Sequence, residues 1–360
     1  MESIKVAVLD DYQGLSKPQF VKLDPAKFDV TYLEDTLLPY SHKDTPQTVQ
    51  HELVQRLSPY QVISTMRERT PFPADLVQQL PNLKLLLTTG LRNAALDLEA
   101  FRKRGIPVAG SSERSPKASK SLGFDSTTQH CVAMIMALAR GIAQDDLSVK
   151  TGGWQRRTAM GLAGKTVGIL GLGRLGVNVA KIMNVAFGMR VIAWSTNLTQ
   201  EAADEKAQGA GLPVVNSDGE KTFKAVSRDE FFRTADVISL HLVLSDRSRG
   251  IVSASDLSKM KPSAMLVNTS RGPLIVEKDL LETVKAGHIR GVALDVFDLE
   301  PLPANSEWRS QDWGKNGTSE VLLTPHMGYV EGDHLSDWYQ QQVENLERWT
   351  QGQELTDRLA

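Results

Sequence analysis

The chain has 360 residues, a formal net charge of −2, 41% hydrophobic residues and 23% charged residues. That length exceeds one core of ordinary size and calls for two domains. The near-neutral balance leaves no basic excess for phosphate neutralisation and argues against a nucleic-acid partner. The sequence contains no run of about 18 apolar residues, the length a membrane-spanning helix requires. Cys131 is the only cysteine, so neither an internal disulfide nor a cysteine-based metal cluster can form, and no metal site is expected. The first residues, "MESIKVAVLDDYQG", enter an apolar run with no basic leader. Together these features lead to the expectation of a cytoplasmic globular protein.

In chain order, "KVAVLDD" (5–11), "DVTYLED" (29–35), "QVISTM" (61–66), "LKLLLTTG" (83–90) and "PVAGSS" (107–112) read as strands. They alternate with helical stretches such as "PQTVQHELVQRL" and "LDLEAFRKRG". Near-continuous apolar strands alternating with helices predict a parallel sheet covered on both faces. Residues 111–125, "SSERSPKASKSLGFD", form a polar linker. One long helix is predicted after it, ending near Gly152 and Gly153. A second alternating set follows: "KTVGILGLG", "RVIAWSTN", "ADVISLHL", "AMLVNTS", "GVALDVF" and "VLLTPH". Residues 205–227 read as a polar surface excursion, and "DHLSDWYQQQVENLERWTQGQ" reads as an amphipathic helix.

Gly171-Leu172-Gly173-Arg174-Leu175-Gly176 lies between a predicted strand and a predicted helix. In that context G-x-G-x-x-G is a dinucleotide-binding turn. Gly171 permits the turn, Gly173 lets the backbone approach a pyrophosphate, and Gly176 lets the helix pack on the strand. The N–H groups of Arg174 and Leu175 would face the phosphates at the positive end of the helix. Folds of this kind carry an acidic residue about 20 residues further on to hold the ribose 2′-hydroxyl. Here the second strand ends in Trp194, Ser195, Thr196 and Asn197, with no carboxylate to repel a 2′-phosphate. No arginine follows that strand directly, and Arg190 stands at its start. The cofactor is therefore NAD(P)(H), with the balance toward NADP(H).

"MLVNTSRGPLIVEKDLLETVKAGHIRGVALDVFDLEPLP" (265–303), "LLTPHMGYV" (322–330) and the glycine turn resemble the D-isomer-specific 2-hydroxyacid dehydrogenase family in order and spacing. "LKLLLTTGLRNAALDLEA" and "VISTMRERTPFP" resemble its N-terminal domain. The resemblance covers nearly the whole chain. It implies an α/β protein of two Rossmann-like or flavodoxin-like domains with parallel sheets and an interdomain cleft. Residues 1–122 with 333–360 would bind substrate, and residues 123–332 would bind the dinucleotide. It further implies a homodimer built on the cofactor domain and the helix after residue 125.

The same resemblance implies residue roles. Arg271 would bind the substrate carboxylate and carbonyl oxygen, for which a planar, permanently charged guanidinium is suited. His326 would give a proton to the carbonyl oxygen while the nicotinamide gives hydride to the carbon. Glu300 would pair with His326 and favour its protonated form. Formate dehydrogenases share the architecture but carry an amide there, so Glu300 argues for a 2-oxo or 2-hydroxy acid. Asp295 and Thr269 would hold the nicotinamide carboxamide, while His241 and Leu242 would line the adenosine side. Val243 stands where the family often has proline. Backbone N–H groups of Leu91, Arg92 and Asn93 would meet the substrate carboxylate, and Arg67 stands where relatives using phosphorylated acids place a phosphate-binding arginine. His130 reads as a packing histidine, and Trp308 with Trp313 as loop packing. Taken together, the sequence reads as an enzyme that reversibly reduces a small-molecule 2-oxo acid to the D-2-hydroxy acid. The alternatives are a dinucleotide-sensing corepressor-like protein and a reductase of another C=O or C=N compound.

Overall fold

The computed structural model describes residues 2–91, 93–112, 123–155 and 157–360. Two compact units share them: residues 1–122, 299–301 and 330–360 in the first, and 123–298 with 302–329 in the second. Among the described residues no helix is long and apolar enough to cross a membrane.

The first unit is a parallel sheet of β1 (Ile4–Leu9), β2 (Phe28–Leu33), β3 (Val62–Thr65), β4 (Leu85–Thr88) and β5 (Val108–Ala109), in the order β2-β1-β3-β4-β5. This is the flavodoxin-like order. β3 and β4 are buried at every position, as expected of strands covered on both faces. Leu53, Leu57, Phe72, Leu76 and Phe101 fill one face. The helix Gly332–Thr350 belongs to the same unit. It is tied there by an edge-on contact between Phe20 and Tyr339 and by the Gln341 amide, which donates to the Ser112 carbonyl at 2.7 Å.

The second unit is a parallel sheet of β6 (Thr166–Leu170), β7 (Arg190–Trp194), β8 (Phe223–Ala225), β9 (Val237–Leu240), β10 (Met265–Asn268), β11 (Gly291–Leu294) and β12 (Glu320–Leu323). Their order is β12-β11-β10-β9-β6-β7-β8. β7 and β8 lie to one side of β6, and β9 and its successors to the other, so the order reverses between β6 and β9. In doubly wound sheets ligands bind at that reversal, outside the carboxyl ends of the strands. Alternate residues of β6 face opposite cores. Val167 and Ile169 pack with Met134, Leu138 and Val179, whereas Leu170 packs with Phe231, Phe232 and Leu240.

Two local expectations are corrected. The long helix after the linker is interrupted at Gly141 (φ +66°), giving Ser126–Arg140 and Ile142–Lys150. Gly141 adopts the left-handed conformation that glycine tolerates, and the Arg157 guanidinium lies 2.0 Å from where a Cβ would stand. The polar excursion 205–227 contains β8, an edge strand paired with β7. Only Phe223 in it is buried, so its three residues carry too little apolar pattern to register as a strand. Of the linker, residues 113–122 lie outside the described residues.

Candidate functional site

The glycine turn stands at the reversal point, and its three glycines have different steric reasons. Gly171 has φ +99°, and a Cβ on it would meet Leu242 Cδ2 at 2.8 Å. A Cβ on Gly176 would stand 2.2 Å from the Gly171 carbonyl oxygen, so helix and turn touch through bare backbone. A Cβ on Gly173 would meet nothing within 4 Å. The space before Gly173 is therefore open, which suits a ligand approaching the backbone. Gly173 caps the helix Arg174–Val185, whose first N–H groups have no partner within the helix. The Arg174 side chain bonds Asp125 at 2.8 Å, and Asp125 in turn caps the helix Ser126–Arg140.

β9 supplies the opposite wall. The His241 N–H donates to the Leu170 carbonyl at 2.8 Å, and Ser239 Oγ lies 2.8 Å from His241 Nε2. Burial pushes the His241 pKa down to about 4, so the ring is neutral near pH 7. Val243 beside it is 85% exposed.

At the end of β7, Ser195 is half-buried while Thr196 and Asn197 are exposed. A cation that the linear sequence does not place there lies nearby. Arg228 follows β8, and its guanidinium lies 5.2 Å from the centre of the Trp194 ring. Its Nε and Nη2 bond the two Asp256 carboxylate oxygens at 2.9 and 2.8 Å. The sequence signal was faint, because Arg228 is 34 positions from Trp194 and only the pairing of β7 with β8 closes that separation.

Arg271 follows β10 in extended conformation. Asn268 braces it, donating from Nδ2 to the Arg271 carbonyl at 2.9 Å, while Ser270 Oγ bonds the Leu240 carbonyl at 2.7 Å. A Cβ on Gly272 would lie 2.0 Å from the Phe297 carbonyl carbon. The Arg-Gly pair thus lets this loop lie directly on the Phe297–Asp298 backbone. Thr269 is buried beside it.

His326 follows β12 with φ +55°, left-handed although it is not glycine. Its ring stands edge-on to Tyr329, with centroids 5.6 Å apart. Its N–H donates to the Asp295 carbonyl at 2.7 Å. The Asp295 carboxylate is fully buried and accepts from Thr324 Oγ1 at 2.6 Å, the Met327 N–H at 2.7 Å and the Gly328 N–H at 3.1 Å. His130 Nε2 lies 3.1 Å from Asp295 Oδ1. Burial alone would raise the Asp295 pKa, but the bonds from His130, Thr324 and Met327 outweigh it and hold the carboxyl below its usual range. Trp308 is buried, with its Nε1 donating to Glu277 at 2.7 Å, and Trp313 packs on it with ring centroids 6.0 Å apart.

Thus one sheet carries the glycine turn, His241, Ser195, Arg271, Asp295 and His326 at or just beyond its carboxyl ends. Thr196, Asn197, Leu242 and Thr269 belong to the same unit, whereas Glu300, Arg67, Leu91 and Asn93 belong to the first. Glu300 lies in the segment Leu299–Pro301. Arg67, Gly90, Leu91 and Asn93 follow β3 and β4. The Asn93 side chain donates to the Arg67 carbonyl at 2.6 Å, and Arg67 Nη1 would lie 3.2 Å from a Cβ on Gly90. The Arg67 guanidinium also lies 5.9 Å from the centre of the Trp338 ring. Arg92 lies outside the described residues.

A doubly wound sheet with a glycine turn at its reversal point defines a dinucleotide-binding domain. Residues 132–328 match the family model described as D-isomer specific 2-hydroxyacid dehydrogenase, NAD binding domain. The chain is 32% identical to a D-3-phosphoglycerate dehydrogenase of Archaeoglobus fulgidus over 77% of its length. It spans about half of that relative, 47%. It is 30% identical to a hydroxypyruvate reductase of Thermotoga maritima, over 79% of this chain and 83% of the relative. The crystal structure of a phosphoglycerate oxidoreductase from Vibrio cholerae is 32% identical and superposes with a TM-score of 0.76, covering 97% of this chain and 99% of that one. The chain belongs to the D-isomer specific 2-hydroxyacid dehydrogenase family.

Proposed function

We propose that the protein reversibly reduces a 2-oxo acid to the D-2-hydroxy acid, with NAD(P)H as hydride donor. The observation that carries this reading is the Asp295-anchored turn, which lies with His326 beyond the carboxyl ends of the same sheet as the glycine turn and Arg271. When bound, the nicotinamide supplies hydride to the carbonyl carbon. Gly171, Gly173 and Gly176, with the N–H groups of Arg174 and Leu175, would hold its pyrophosphate. His241 and Leu242 would line the adenosine, and Thr269 and Asp295 the carboxamide. Arg271 would grip the substrate carboxylate and polarise the carbonyl. His326 gives its proton to the carbonyl oxygen in reduction and removes it in oxidation. Glu300 would stabilise the protonated imidazole, while Arg67, Leu91, Arg92 and Asn93 would receive the rest of the acid.

The strand end at Ser195 carries no carboxylate, and Arg228 adds a cation beside Trp194. Both support NADP(H) over NAD(H). A homodimer is supported by the apolar side chains left exposed on and after the helix Ile142–Lys150: Ile142, Leu147, Val149 and Trp154, the last 73% exposed. A single buried, unpaired thiol at Cys131 suits the reducing cytoplasm.

The test is cofactor oxidation with hydroxypyruvate, glyoxylate, pyruvate, phenylpyruvate and branched 2-oxo acids, using NADH and NADPH in parallel. Turnover that yields the D-hydroxy acid supports the reading. Tight cofactor binding without turnover on any acid would overturn it in favour of a dinucleotide sensor. An imine and a non-acid carbonyl compound join the panel, and turnover confined to them would move the reading to a different reductase.

A further inference from the structure

We infer that His130 is a positioning residue for His326, acting through the buried carboxylate of Asp295. The inference rests on the reading of His326 as proton donor. His130 belongs to the helix Ser126–Arg140, far in sequence from β12 and outside every motif of the site. Yet its Nε2 lies 3.1 Å from both Asp295 Oδ1 and Thr324 Oγ1.

The protonation of that nitrogen follows from hydrogen-bond capacity. Thr324 has one hydroxyl proton, and it points at Asp295 Oδ1 at 2.6 Å. His130 Nε2 therefore faces two acceptors, a carboxylate oxygen and a hydroxyl oxygen, and must itself carry a hydrogen. This holds whether the ring is neutral or cationic. Cys131 also neighbours the carboxylate, and burial pushes its thiol pKa upward.

Asp295 in turn holds the catalytic turn. Its carboxylate takes the N–H groups of Met327 and Gly328, and its carbonyl takes that of His326. A left-handed φ at a non-glycine residue persists only where surrounding bonds over-determine it, and at His326 those bonds converge on Asp295. Gly328 is close-packed in the same place, for a Cβ on it would meet Asp295 Oδ2 at 3.4 Å and His130 Cδ2 at 3.9 Å. Removing the His130 donor leaves Asp295 Oδ1 bound by Thr324 and Met327 alone. The carboxylate can then rotate, and the imidazole it orients loses definition.

The test pairs His130→Leu, which removes the donor at similar volume, with His130→Gln, which restores an N–H donor. Steady-state kinetics should show kcat of H130L lowered about tenfold or more, the scale typical of groups that orient a catalytic residue. KM for the oxo acid should stay within about twofold, and H130Q should recover most of the lost rate. Wild-type kcat in H130L would overturn the inference. An H130Q variant as impaired as H130L would also overturn it, because shape rather than donation would then matter. If H130L does not fold, His130→Asn, polar but too short to reach Asp295, takes its place.

A second readout does not depend on turnover. Nitrogen-15 spectra of the imidazoles, with the His326 signals assigned by their loss in H326Q, should show those signals shifted or broadened in H130L and native in H130Q. Unchanged His326 signals in H130L refute the positioning role even if the wild-type protein reduces no acid, an outcome that by itself refutes only the proposed function.

Discussion

The Arg228 guanidinium lies over the Trp194 ring at 5.2 Å, held from behind by both carboxylate oxygens of Asp256. Stacking and bidentate pairing fix a planar cation beside the end of β7, where an acidic residue is missing. Arg228→Gln should lower kcat/KM for NADPH about tenfold, the scale of one charged hydrogen bond, and leave NADH nearly unaffected. Ser195→Asp should act the same way by repulsion. Parallel kinetics with both cofactors check this, and equal losses with NADH and NADPH would assign Arg228 a purely structural part.

His326→Ala should lower kcat by about 10² to 10⁴-fold, the usual contribution of a general acid, with cofactor affinity retained. Kinetics and a cofactor fluorescence titration are read together. Near-normal turnover would remove His326 from the mechanism.

Arg271→Ala should raise KM for the oxo acid and lower kcat as well, since one guanidinium is asked to serve carboxylate and carbonyl alike. Removing a charged hydrogen bond costs about 1.5–3 kcal/mol, or roughly 10- to 150-fold in kcat/KM. An unchanged KM would count against carboxylate binding.

Gly173→Ala and Gly176→Ala should part company. A Cβ at Gly173 enters open space, whereas one at Gly176 stands 2.2 Å from the Gly171 oxygen. G173A should keep its unfolding midpoint and lose dinucleotide affinity. G176A should lose both, with destabilisation of about 1–3 kcal/mol from overpacking. Thermal unfolding with and without cofactor separates them, and a G176A protein of native stability would contradict the packing argument.

His241 predicts a pH signature of stability. Burial lowers its pKa from 6.5 to about 4 in the folded state, so between those values the unfolded chain binds the extra proton. Its contribution is complete above the unfolded pKa and is lost as pH falls toward the folded one, by about 2 kcal/mol by pH 5. Asp295, whose folded pKa is also lowered, contributes above the normal carboxylate pKa and loses its share only at more acid pH. Urea unfolding at pH 7 and pH 5 should show the drop in the wild-type protein and a shallower one in His241→Gln. Parallel pH dependence in the two would assign the loss to other groups.

The sequence by itself determined the α/β alternation, because strands buried on both faces read as near-continuous apolar runs, and β3, β4 and β6, buried at every position, are mostly apolar. It also determined the phosphate turn. Glycine at 171 and 176 is required by local backbone geometry, and such requirements show in spacing alone. What only the tertiary structure decided involves groups distant along the chain. The donor that braces the His326 turn comes from His130, nearly 200 positions away, and read in isolation it is a packing histidine on an apolar helix. The cation beside Trp194 arrives through β8, an edge strand too short to show a pattern. The break at Gly141 likewise depends on Arg157 filling the place of a side chain. Periodicity and motif spacing record what the backbone demands of its neighbours. Hydrogen-bond donors that close a buried carboxylate can come from any element that reaches it, so their identity waits on the packed fold.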